Sequence, residues 1–156
     1  LLDALDAGPH RENTIVVLYS DHGFFLGEKE RWAKQSLWER ATRVPFVIAA
    51  PGMSRGTPCS RPAELLGIYP TLIDLCDLER PSSWPKLDGR SVAPLLRNEQ
   101  VRWRDRTLHT QMHGGNGYVK PGDPWEIGTA MTERWRLVEG RDLYDIIADP
   151  EQRKDV

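Results

Sequence analysis

Apolar positions fall along this chain in three patterns. In the first half, Thr14-Ile15-Val16-Val17-Leu18-Tyr19 and Val44-Pro45-Phe46-Val47-Ile48-Ala49-Ala50 are unbroken apolar runs. Runs of that length without polar alternation predict strands buried on both faces. Pro45 is tolerable near a strand's start, and Pro51-Gly52 ends the second run. Helical spacing governs Arg61 to Cys76, where Pro70 predicts two helical pieces or a kink. Leu1, Leu2 and Leu5 share one face of a helix over 1–7 that Gly8-Pro9 stops. Residues 24–41 read as a loop leading into a short helix, and Ser91 to Arg97 as another short helix.

From Thr107 the pattern changes. Thr107 to Met112, Gly128 to Val138 and Asp142 to Ile147 read as strands separated by glycine-rich turns, which predicts a small antiparallel sheet. The expected class is therefore α/β, with segments at 1–78, a connection with a short helix at 79–104, and a small α+β subdomain at 105–156.

Composition narrows the classes. The 156 residues are 39% hydrophobic and 28% charged, a globular profile, and 21 basic minus 23 acidic side chains give a formal charge of −2. The basic residues are scattered beside acids, so no nucleic-acid footprint is expected. No stretch reaches the ~20 apolar residues of a membrane helix, so no membrane segment is expected in this piece. The chain opens on Leu1-Leu2-Asp3-Ala4 without an initiator Met or a basic leader, as though cut from inside a helix of something longer. Cys59 and Cys76 are too few for a disulfide framework or a zinc site and read as structural or surface thiols.

The chemistry-bearing feature is Ser20-Asp21-His22-Gly23, directly after the first predicted strand. Open α/β sheets place ligands at the C-terminal ends of their strands. A carboxylate and an imidazole there can face one cation, while Gly23 lets the backbone bend away. A plain hydrogen-bonded strand-end turn is the alternative, and these four residues alone leave both open.

The order of motifs extends further. The run Thr14 to Gly23 is followed by Leu26-Gly27-Glu28, Trp32-Ala33-Lys34 and Ala41-Thr42-Arg43-Val44-Pro45. Next come Arg61-Pro62, Ile68-Tyr69-Pro70-Thr71-Leu72, Leu87-Asp88-Gly89-Arg90-Ser91 and Pro94-Leu95-Leu96. Thr132-Glu133-Arg134-Trp135-Arg136, Leu143-Tyr144-Asp145 and Asp149-Pro150 close the series. This order resembles type I sulfatases of the alkaline phosphatase superfamily, in the branch of iduronate-2-sulfatase-like and choline-sulfatase-like enzymes, and it spans nearly the whole chain.

The resemblance implies the C-terminal part of an alkaline-phosphatase-like sheet, over 1–78, followed by the small antiparallel sheet. It implies sulfuric ester hydrolysis, with Asp21 and His22 as ligands of one divalent cation, usually calcium. Calcium takes oxygen donors, so the imidazole keeps other metals, or a less direct role for His22, open. Lys34, thirteen positions after Asp21, corresponds to the family's active-site lysine. An ammonium there would bind the sulfate, stabilise charge on its oxygens and donate a proton to the leaving alkoxide. An arbitrary lysine would be a solvated surface charge; the family position assigns this one to catalysis and substrate binding. His113, in a glycine-rich turn, is a further candidate substrate contact, as is His109; an exposed loop histidine is the alternative for both.

The formylglycine nucleophile of such enzymes derives from a Cys-x-Pro-x-Arg segment, which this chain lacks. Cys59-Ser60-Arg61-Pro62 has the letters in the wrong order and the wrong place, so formylglycine is expected in a missing N-terminal part. The paired upstream aspartates are missing too. The expected partners are a small-molecule or saccharide sulfate ester and the remainder of the same polypeptide. Export to a periplasmic, secreted or lysosomal location is a family expectation only. Arg43 with Glu39 reads as a structural tie, and Trp103 and Trp135 as packing. Asp145, Asp149 and Pro150 read as turn-shaping. Competing readings are a phosphonate monoester hydrolase or phosphodiesterase of the same superfamily, a non-catalytic binding domain derived from a sulfatase, and an unrelated α/β module.

Overall fold

The computed structural model describes residues 1–53, 56–112 and 128–156. In chain order its elements are α1 (Leu2–Asp6), β1 (Val16–Tyr19), α2 (Glu39–Thr42), β2 (Phe46–Ala49), α3 (Ile68–Leu75), α4 (Ala93–Arg97), β3 (Leu108–Gln111), β4 (Gly128–Met131), β5 (Trp135–Val138) and β6 (Asp142–Asp145). Contacts divide the chain into two compact units: Leu1–Tyr19 with Pro45–Trp103, and Ser20–Val44 with Arg104–Val156. The units therefore interleave along the sequence, whereas the 1–78, 79–104 and 105–156 segments divide it consecutively.

In the first unit, β1 and β2 pair antiparallel, with Val16 opposite Ala49 and Tyr19 opposite Phe46. The expectation that both faces are buried does not hold here. Leu18 and Val47, directly opposite each other, are 60% and 54% exposed, and Tyr19 is open as well. The two strands pair only with each other among the described residues, so no second layer covers these apolar side chains.

The helical stretch at 65–75 divides where proline chemistry requires. A 3-10 turn over Leu65–Gly67 runs into α3 at Ile68, and Pro70 occupies the first turn of α3. There the missing N–H breaks no hydrogen bond of the helix, and the α ladder cannot extend back through it to Leu66. Close backbone contact then joins this stretch to the segment before α4. A Cβ on Gly89 would lie 1.9 Å from the Leu66 carbonyl oxygen. The wholly buried Thr71 hydroxyl donates to Gly67 O at 2.6 Å and accepts from Val92 N at 2.9 Å. Ala93 and Leu95 of α4 complete this small core.

The second unit is organised by the sheet β3-β4-β5-β6, antiparallel throughout. The stretch Gly128 to Val138, expected as one strand, is two strands joined by a turn at 132–134. Thr132 makes that turn without glycine or proline. Its hydroxyl accepts from Trp135 N at 3.1 Å, and its own N–H donates to Trp135 O at 2.9 Å.

Along β5 the burial alternates, so Arg136 and Val138 share the buried face, each 2% exposed. Arg136 is thus a charge at a core position; both of its terminal nitrogens find acceptors, while Nε, buried as well, has none among the described residues. Nη1 donates to Glu39 Oε2 at 2.7 Å, while Nη2 donates to Leu37 O at 2.8 Å and to Thr42 Oγ1 at 2.5 Å. Burial lowers its pKa from the ordinary arginine value and the facing Glu39 opposes that fall. These bonds tie α2 and Leu37, just ahead of it, to the sheet. Just before β5, Arg134 grips Asp145 through two nitrogens at 2.9 and 2.7 Å. That contact holds the Asp145 carboxyl below its usual range. Asp145 also accepts from Ile147 N and Ala148 N, the turn-shaping role expected of it.

Removing one partner of a buried pair leaves the other charge unpaired. Arg136→Ala is therefore expected to destabilise the second unit by about 3 kcal/mol or more, read from the denaturant midpoint, and Glu39→Gln with Arg136→Met by clearly less. Equal losses for the single and double variants would show that the pair contributes nothing beyond packing.

Candidate active site

The turn after β1 belongs to the second unit, together with the loop that follows it. Ser20 Oγ donates to His22 O at 2.8 Å, tightening the turn. Gly23 N donates to Ala41 O at 2.7 Å, so the turn rests directly on α2. A Cβ on Gly23 would lie 2.0 Å from the Arg40 carbonyl oxygen and 3.0 Å from that of Arg43. Glycine is required here by close approach of two backbones. Gly23 is not among the residues with positive φ, so the requirement for glycine is one of space. Since Arg136 holds α2 and α2 holds Gly23, the position of His22 traces back to the sheet.

The His22 ring is oriented by its own backbone. Nδ1 lies 2.8 Å from Gly23 O, and a carbonyl only accepts, so the proton resides on Nδ1. Nε2 is then the lone-pair nitrogen, and it receives Lys34 Nζ at 2.8 Å. Asp21 Oδ2 lies 3.6 Å from the same Nε2, with its side chain 82% exposed. The structure thus brings Asp21, His22 and Lys34 together at one point.

Lys34 reaches it on a loop that doubles back on itself. Phe25 N donates to Ala33 O and Gly27 N to Arg31 O, both at 2.9 Å. Phe25 is wholly buried and anchors the outgoing arm. At the tip Gly27 has φ 121°, and Lys29 and Glu30 follow at 51° and 55°. The Trp32 ring lies across Gly27, about one van der Waals contact from where a Cβ would be.

A carboxylate oxygen and an imidazole nitrogen at this separation can serve one cation; here the Lys34 ammonium takes the imidazole lone pair, so the fit to a divalent metal is partial and requires Lys34 to leave that nitrogen. Among the described residues no group of three or more His, Cys, Asp and Glu side chains could hold a metal ion. His113 lies outside the described residues. His109 sits on β3 opposite Ala130. Arg43 approaches Glu39 at 3.8 Å, consistent with the structural tie expected of it. Cys59 and Cys76 are both exposed free thiols. Arg136, Gln152 and Lys29 support the site without having been singled out by sequence. Only the period of β5, which aligns Arg136 with Val138, carried a signal.

A turn of this kind, an alkaline-phosphatase-like strand arrangement and a four-stranded antiparallel sheet define the class, and the comparisons specify it. The sulfatase family model matches residues 1–78, half of the chain. The chain belongs to the sulfatase family. It is 40% identical to a sulfatase of Formosa agariphila, with 97% of this chain and 28% of that protein covered. It is 30% identical to the choline-sulfatase of Rhizobium meliloti, with 96% and 28% covered. One similar solved structure is a complex with its substrate, D-glucosamine-2-N,6-O-disulfate. It aligns at a TM-score of 0.78 and 28% identity, over 99% of this chain and 32% of that one. The chain thus spans about three-tenths of the length of these relatives.

Overlap with the Arg40 and Arg43 carbonyls leaves no room for a methyl group at Gly23. Gly23→Ala is expected to cost about 2 kcal/mol or more and to lower the melting temperature by several degrees. An unchanged melting curve would show that the turn does not bear on α2.

Proposed function

We propose that this chain is the C-terminal portion of an enzyme that hydrolyses a sulfate monoester, and that Asp21, His22 and Lys34 are its contribution to the active site. The observation that carries the reading is the 2.8 Å contact of Lys34 Nζ with His22 Nε2, beside the Asp21 carboxylate, in a chain of this family. A carboxylate, an imidazole lone pair and an ammonium at one point are suited to a small tetrahedral anion and its counter-cation.

Asp21 would hold a divalent cation, calcium by family resemblance, and His22 would join it through Nε2 once Lys34 turns from that nitrogen to the sulfate, since one lone pair cannot serve both. When bound, such an ion draws charge from the sulfate oxygens and makes the nucleophile easier to ionise. The nucleophile, a formylglycine by the same resemblance, lies outside these 156 residues. Within the chain, the Nδ1 bond to Gly23 O fixes which nitrogen faces the site. Lys34 brings a positive charge to the sulfate oxygens as the S–O bond lengthens, and its proton is at hand for the departing alkoxide. The substrate is a small-molecule or saccharide sulfate ester. Export to a periplasmic, secreted or lysosomal site accompanies this reading.

Two measurements test it. In the intact enzyme, Lys34→Ala is expected to lower kcat/KM for an aryl sulfate by about 10² or more. Metal content should stay unchanged, whereas Asp21→Ala should reduce it. A phosphonate monoester turned over faster than the sulfate would favour the phosphonate monoester hydrolase reading, which shares the Ser-Asp-His-Gly turn. The purified 156 residues alone are expected to show no aryl sulfatase activity and to bind divalent cations weakly; measurable turnover by them would refute the division of the site between two parts of the polypeptide.

A further inference from the structure

Lys29 lies at the tip of the loop that carries Lys34, and its backbone is left-handed, as is that of its neighbour Glu30. Two consecutive non-glycine residues in that region persist only where surrounding contacts over-determine them. The Lys29 side chain supplies the contacts that reach furthest from the loop. Nζ donates to Gln152 O at 2.6 Å and sits 3.9 Å above the Trp38 ring, with Tyr144 further out at 5.9 Å. Trp38 and Tyr144 stand edge to face at 5.3 Å, giving the ammonium an aromatic corner.

The far end of this contact is itself fixed. Gln152 is 1% exposed and also left-handed, at φ 54°. Its Oε1 accepts from Glu39 N at 3.0 Å, and Glu39 is the partner of the buried Arg136. The Lys29 ammonium is therefore pinned to the residues that hold α2, across 123 positions of sequence. A parallel strap, Glu28 to Arg40 at 3.5 Å and Arg40 to Glu151 at 2.6 Å, is partly open to solvent, as Lys29 itself is, and lacks the aromatic corner.

We infer that Lys29 is a positioning residue for Lys34, its ammonium locking the loop tip so that the returning arm presents Lys34 to His22. The path is short: the Gly27–Arg31 and Phe25–Ala33 backbone bonds run from the tip to the residue before Lys34. This inference rests on the assignment of Lys34 to the reacting sulfate.

The test is a double-mutant cycle in the intact enzyme with an aryl sulfate as substrate. Lys29→Met keeps the length of the side chain and removes its charge. It is expected to lower kcat about tenfold or more, since small misplacements of a catalytic group carry costs of that order, with KM within about twofold. Hydrogen exchange should quicken in the 24–34 loop and stay unchanged in β5 and β6. Lys29→Arg should restore kcat to within about threefold, because a guanidinium also stacks on Trp38 and donates to a carbonyl. A crevice of about 240 Å³ lined by Lys29, Trp38, Glu39 and Gln152 has room for it. In a Lys34→Ala background, Lys29→Met should cost less than about twofold, the signature of two residues acting as one. Equal losses in both backgrounds, or no loss of kcat with Lys34 present, would overturn the inference. If Lys34→Ala keeps full turnover, the assignment of Lys34 falls and this inference with it. If Lys34→Ala is impaired and Lys29→Met is not, only the inference falls.

Discussion

A guanidinium buried on the core face of β5 sets the geometry of the second unit. Arg136 has almost no access to water, and its Nη1 and Nη2 groups must find acceptors inside the protein. They find them on one short segment: Leu37 O, Glu39 Oε2 and Thr42 Oγ1. Because a buried charge is tolerated only when paired, this segment has little freedom to move from the sheet. Hydrophobic contact alone is non-directional and would fix its position less sharply.

That constraint passes to the site through backbone contact. Ala41 O receives the Gly23 amide, and the carbonyls of Arg40 and Arg43 leave space for no side chain at that position. Gly23 O in turn receives the His22 Nδ1 proton, which leaves Nε2 as the nitrogen that faces Lys34 and Asp21. The direction of one lone pair thus depends on an arginine more than a hundred residues away along the chain. Gln152 adds a second link by bonding Glu39 N with its side chain and Lys29 with its carbonyl. Both arms of the site, the turn with Asp21 and His22 and the loop with Lys34, refer to the same anchored segment.

The chain belongs to the sulfatase family and spans about three-tenths of the length of the relatives it matches. Among the described residues Asp21 and His22 have no third His, Cys, Asp or Glu side chain beside them that could complete a metal site. The exposed apolar pair Leu18 and Val47 is likewise a surface with no covering layer among the described residues.

Much of this was readable from residue types and their periods. The two apolar runs became β1 and β2, the strand-rich character after Thr107 became a four-stranded sheet, and the order of motifs identified the family. Local pattern suffices there because strand and helix periods are properties of neighbouring residues. The turn at Thr132 escaped because its chemistry is a single hydroxyl, with no glycine or proline to mark it. The exposure of β1 and β2 escaped because an apolar run states what a segment can bury, while a partner layer decides what it does bury. Only the tertiary structure could show that Arg136 points inward onto Glu39, that Gly23 is a contact glycine, and that Lys29 meets Gln152. Each of those pairings joins distant positions, and such pairs are selected by three-dimensional closure and the need to satisfy buried polar groups.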